Sequence, residues 1–156
     1  MKQLFLAAIA CILISFTAQA QSITINNNTP CDIHLILHAT TPIGSCGGLY
    51  SSQVFTVSGM TSLSFPDPTA VTGGMYNGGG FIIGPGGWFD KVNFVQCNPA
   101  YCSPCALVSA VVQDASCGGP TTNIQSFYNA ACVPSSCSPV NINYTNAGGN
   151  ITVNVP

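Results

Sequence analysis

Acid–base and metal chemistry have few residues to draw on in this chain. Asp32, His34 and His38 sit close together in CDIHLILHA. On a helix, His34 and His38 would share one face at the spacing that can hold a metal ion. On a strand they stand about 13 Å apart at ~3.3 Å per residue, too far to share an ion. The alternation of Ile33, Leu35, Leu37 and Ala39 with Asp32, His34, Ile36 and His38 predicts the strand. Asp32 and His34 then become neighbours on one face, the spacing of an acid–base pair, although a solvated strand face explains them as well. Asp67, Asp90 and Asp114 are scattered, with no carboxylate pair close in sequence of the kind glycosidases use. From these residues the chain is expected to have no catalytic group, no metal site and no cofactor.

A second candidate is GGMYNGGGFIIGPGGWFD, residues 73–90, with eight glycines and four aromatic rings. A phosphate-binding loop would close its glycines on Lys-Ser or Lys-Thr. These glycines run into Trp88-Phe89-Asp90 instead. Two uses remain open. Tyr76, Trp88 and Phe89 could form a platform that stacks on a sugar ring, making them candidate ligand contacts. Equally, they could anchor a turn-rich segment to the core, the commoner use of large aromatics.

Cysteine supplies the third kind of chemistry. Of nine cysteines, Cys11 lies in an apolar leader. The other eight are Cys31, Cys46, Cys97, Cys102, Cys105, Cys117, Cys132 and Cys137. An even number in an exported chain predicts disulfides, here four, with connectivity that spacing alone does not determine. Cys97, Cys102 and Cys105 form C-x4-C-x2-C, which resembles the cluster-binding loop of plant-type ferredoxins. The export signal and the four further cysteines favour disulfides over a cluster. Cys102-Ser-Pro-Cys105 also has the form of a redox motif, but no neighbouring cation or histidine would lower a thiol pKa.

The leader itself is MKQLFLAAIACILISFTAQA, with Lys2, an apolar run and the small-residue site Ala18-Gln19-Ala20. This is the pattern of a secretory signal peptide cleaved after Ala20, and the apolar run is short for a membrane span. Residues 21–156 then form one domain by length, secreted or held at the cell surface. In that domain Lys91 is the one cation against four aspartates, a net charge of −3, with no arginine or glutamate. Nucleic acid and anionic membrane surfaces are excluded as partners, because both need several cations.

The elements that must position these residues show a period of two. Val140, Ile142 and Tyr144 alternate with polar residues, as do Ile151, Val153 and Val155 after a Gly-Gly turn. Ile23 and Ile25 repeat the pattern. Further strands are predicted at 52–57, 62–65, 81–83, 90–96 and 123–128. Residues 104–116 could be strand or helix, and their valines favour strand. The expected fold is an all-β, disulfide-stapled antiparallel sandwich, immunoglobulin-like or jelly-roll-like. Two functions suit such a chain. One is a secreted, non-catalytic surface or matrix protein that associates with itself or another extracellular protein through strand edges, for example ITVNVP. Its lack of edge charges motivates this. The alternative is a secreted carbohydrate- or protein-binding module using the aromatic, glycine-rich loop.

Overall fold

A computed structural model describes residues 21–95, 110–125, 137 and 139–156. Ten strands form two sheets that pack sandwich-like. They are β1 (Ser22–Asn27), β2 (Ile33–Thr40), β3 (Tyr50–Ser51), β4 (Phe55–Val57), β5 (Thr61–Phe65), β6 (Trp88–Val95), β7 (Ala110–Gln113), β8 (Thr122–Gln125), β9 (Val140–Ala147) and β10 (Asn150–Val155). The first sheet has the order β5-β1-β10-β9-β8. The second runs β3-β2-β6-β7, with β4 also pairing β2.

Alternation builds the core as expected. Ile23 and Ile25 of β1, Ile142 and Tyr144 of β9, and Ile151, Val153 and Val155 of β10 are buried on one side of the first sheet. They meet Ile33, Leu35, Leu37 and Ala39 of β2, Val92 and Phe94 of β6, and Ala110 and Val112 of β7. Phe55 and Phe65 join the layers with ring centroids 5.4 Å apart. The polar residues of the same strands face outward and bond across the sheet, as in Asn26 to Asn154 at 2.9 Å. One buried polar side chain, Asn27, is satisfied by donating to the carbonyls of Cys31, Val57 and Ser58, the condition under which burying an amide is tolerable. The β9–β10 hairpin turns on Gly148 and Gly149, both at positive φ. That conformation matches the twist of the flanking strands and is open to few residues other than glycine.

Four expectations are corrected by the pairing. The sandwich is not wholly antiparallel: β1 runs parallel to β10, with Ile23 opposite Ile151 and Thr24 opposite Thr152. The segment ITVNVP is no sheet edge, because β10 lies between β1 and β9. No strand forms at 81–83, where only Ile82 makes an isolated bridge to Tyr76. The strand expected at 52–57 is confined to Phe55–Val57. In the ambiguous stretch, Ala110–Gln113 is strand, followed by a 3-10 turn at Ala115–Cys117. Its earlier part, 104–109, and residues 126–128 of the candidate strand at 123–128 lie outside the described residues.

Two disulfides are described, Cys31–Cys137 and Cys46–Cys117. Cys97, Cys102, Cys105 and Cys132 lie outside the described residues. Among the described residues, no helix is long and apolar enough to cross a membrane.

Candidate functional site

The glycine-rich segment and the start of β6 divide their aromatic residues between two environments. Trp88 is 5% exposed and Phe89 wholly buried. In β6 the ladder with β2 slips between His38 and Ala39: Lys91 faces His38 and Phe89 faces Ala39, so Asp90 is an extra residue. A bulge of this kind re-aims side chains. Here it turns Asp90 to the loop that follows β2. Its Oδ2 accepts from the backbone N–H of Gly47 and Gly48 at 2.9 and 2.8 Å. The Trp88 indole donates to the Ser45 carbonyl at 2.7 Å. Between these anchors, Cys46 is bridged to Cys117. Trp88 and Asp90 thus hold one loop from below while a disulfide holds it from the side.

The other carboxylates serve turns too. Asp32 accepts from Gly59 N. Asp67 accepts from the N–H groups of Thr69 and Ala70 at the 3-10 turn Pro68–Ala70. Asp114 accepts from Ser116 N at the next 3-10 turn. All four aspartates of the chain are therefore backbone acceptors. The histidines are engaged as well: His34 Nδ1 lies 2.9 Å from Thr56 Oγ1, and His38 Nδ1 2.9 Å from Ser51 Oγ. Burial lowers the His34 pKa, against the raising effect of Asp32. Burial and the nearby Lys91 lower His38 to about 4, so both rings are neutral at pH 7. Among the described residues no three potential metal ligands gather.

An open pocket of about 430 Å³ lies at the end of the sandwich, lined in part by Trp88, Asp114, Tyr144 and Asn146. Its carboxylate and amide are already paired. Asn146 donates to Asp114 Oδ2 at 2.6 Å and accepts from Gly149 N. The Asp114 Oδ1 accepts from both the N–H and the hydroxyl of Ser116. Burial would raise the Asp114 pKa, but the bonds from Ser116 and Asn146 outweigh it and leave the carboxyl below its ordinary value. A group satisfied in this way gains little from a ligand.

Exposed apolar side chains lie on the margin of the second sheet. Ser51 and Tyr76 exchange both backbone hydrogen bonds, at 2.9 and 3.0 Å, and Tyr76 bridges Ile82. The segment therefore folds back on itself through the turn Asn77–Gly80, where Gly80 donates to the Asn77 carbonyl and has φ of 80°. The ladder row Lys91–His38–Ser51–Tyr76–Ile82 continues across β6, β2 and β3 into this hairpin. Its outer end is apolar and open: Tyr76 is 40%, Phe81 70% and Ile82 61% exposed, and Leu49 and Val54 flank Ser51 with exposed side chains. No charged residue occurs from 68 to 89.

Of the three candidate contacts, the structure leaves Tyr76 on the surface and places Trp88 and Phe89 inside. Phe81 and Ile82 were missed as surface groups because FII reads as a buried strand. The glycines on both sides were the available signal for a turn-rich segment, although Ile83 of the same run is buried. The class this defines is a two-sheet, disulfide-bonded β protein with its acids committed to turns and with exposed apolar side chains on the uncharged segment 76–82. No family model, curated protein or solved structure matches the chain.

Proposed function

We propose that this is an exported, non-catalytic protein that acts by association, docking an extracellular partner on the margin formed by Leu49, Val54, Tyr76, Phe81 and Ile82. The observation that carries the reading is that these exposed apolar side chains belong to two segments, 49–54 and 76–82, that carry no charge and are joined through the Ser51–Tyr76 bridge. Exposed patches of this kind mark interaction sites, and sheet margins are ordinarily guarded by lysines and other charges. The engagement of all four aspartates with backbone N–H groups supports a non-catalytic role. The leader pattern and the two disulfides are consistent with an extracellular setting. Export with cleavage after Ala20 is part of the proposal.

A second reading, recognition of a glycan, is favoured by Tyr76 and Phe81, two exposed rings on one hairpin. The Tyr76 ring lies beside Gly74, where an added Cβ would come within 3.1 Å of it, so a glycine opens the space along that ring. Phe81→Lys tests both readings. In sedimentation velocity, on a glycan array and on immobilised extracellular matrix, the wild type is expected to bind at least one target or itself, and the variant to lose it. Identical behaviour of the two proteins in all three assays would end the proposal.

A further inference from the structure

The margin ends in one residue whose backbone is prepared for another strand. Around the Tyr76–Ile82 bridge, Asn77 N donates to the Phe81 carbonyl at 3.0 Å and Ile83 N to the Met75 carbonyl at 2.9 Å. In an antiparallel pair bonded through such neighbours, the two facing residues turn their own N–H and C=O away from each other. Tyr76 spends its pair on Ser51. Ile82 therefore aims its N–H and C=O outward, and no described group bonds either. Ser51 and Tyr76 show what a partner there must do: exchange both hydrogen bonds with Ile82 in antiparallel register.

We infer that the occupant is a second copy of this chain, with Ile82 pairing Ile82 of the other copy across a two-fold axis. This rests on the association reading above and names its partner. Three features select a copy over an arbitrary extended peptide. A hydrogen-bonded antiparallel pair is self-complementary about a two-fold axis, so one residue satisfies the contact on both sides. Residues 68–89 carry no charge, so two margins approach without the like-charge penalty that separates most edges. The turn at Pro85–Gly86 ends the extended segment three residues beyond Ile82. A long peptide would gain little from so short an edge, whereas two short identical segments use all of it. Ile82 then meets its counterpart side chain directly across the axis.

Sedimentation equilibrium of residues 21–156, oxidised, is expected to show a monomer–dimer equilibrium. The Ile82 amide should gain hydrogen-exchange protection as concentration rises. Ile82→Lys places two like charges on the axis and should weaken dimerisation about tenfold or more. Ile124→Lys, on β8 and 65% exposed, should leave it unchanged. Unaltered near-ultraviolet circular dichroism checks that each variant is folded. A monomer at millimolar concentration overturns the inference. So does a dimer indifferent to Ile82→Lys, or an Ile82 amide whose exchange ignores concentration. If the monomer nevertheless binds glycan or matrix in a Phe81-dependent way, the association reading stands and the two-fold pairing alone falls.

Discussion

His38 shows how a residue that looks chemical in the sequence becomes structural in the fold. It sits in the row between Lys91 and Ser51, and burial with the Lys91 charge disfavours its protonation. Its pKa falls from 6.5 to about 4, Asp90 opposing the shift. The sign follows from linkage. As pH drops from 6.5 toward 4, the unfolded chain takes up the proton before the folded one, so stability falls across that window. The full shift would be worth about 3 kcal/mol; partial exposure of the ring reduces this to ~1–2 kcal/mol. Urea unfolding at pH 7 and pH 4.5 should show the loss, and His38→Asn should flatten it. His34 shifts in the same direction, so the informative quantity is the difference between wild type and variant. An equal slope in both proteins would refute the assignment. Asp90 teaches the same lesson from the acid side: its carboxylate clamps the backbone of Gly47 and Gly48.

At the scale of elements, the turns decide where strands can lie. The turn from β4 to β5 passes so close to the segment after β1 that an added Cβ on Gly59 would sit 2.5 Å from the carbonyl carbon and oxygen of Pro30. Backbone cannot yield as a side-chain tip can. Met60 N also donates to the Thr29 carbonyl there, and Asn27 ties the same corner to Val57 and Ser58. Gly59→Ala is expected to cost ~1–3 kcal/mol, the usual range for overpacking. Gly78→Ala, with nothing within 4 Å of the added methyl, should fall within about 0.5 kcal/mol of wild type. Equal costs in urea unfolding would show that the corner is looser than its contacts imply. β6 shows a turn-like effect inside a strand. Its bulge at Asp90 breaks the alternation that Lys91, Val92, Asn93 and Phe94 keep, and this lets Trp88, Phe89 and Asp90 all be buried.

The whole molecule depends on contacts between distant parts of the chain. Cys31–Cys137 spans 106 residues and Cys46–Cys117 spans 71. Loop-closure entropy grows only with the logarithm of length, so the two bridges differ by ~0.4 kcal/mol on that ground. Each should contribute ~2–5 kcal/mol. The paired substitutions C31A/C137A and C46A/C117A are therefore expected to lower stability by similar amounts in urea. A cost under ~1 kcal/mol for either would mean that the bridge adds little to folding. The second variant also frees the loop held by Trp88 and Asp90, so it should raise proteolysis near Ser45 more than the first does.

Local pattern alone determined the all-β class, the inward faces of β1, β2, β6, β9 and β10, and the Gly148–Gly149 hairpin. Each depends on a period of two or on a backbone conformation that few residues adopt, and both are properties of neighbours in sequence. Only the tertiary structure decided that β10 lies between β1 and β9, that Trp88 is a loop anchor, and that Phe81 and Ile82 face solvent. The reason is physical. Alternation tells a strand which side is apolar, but neither which strand lies beside it nor whether another layer covers it. Those outcomes depend on pairings between residues outside each strand's own run, such as Thr24 with Thr152 and Trp88 with Ser45.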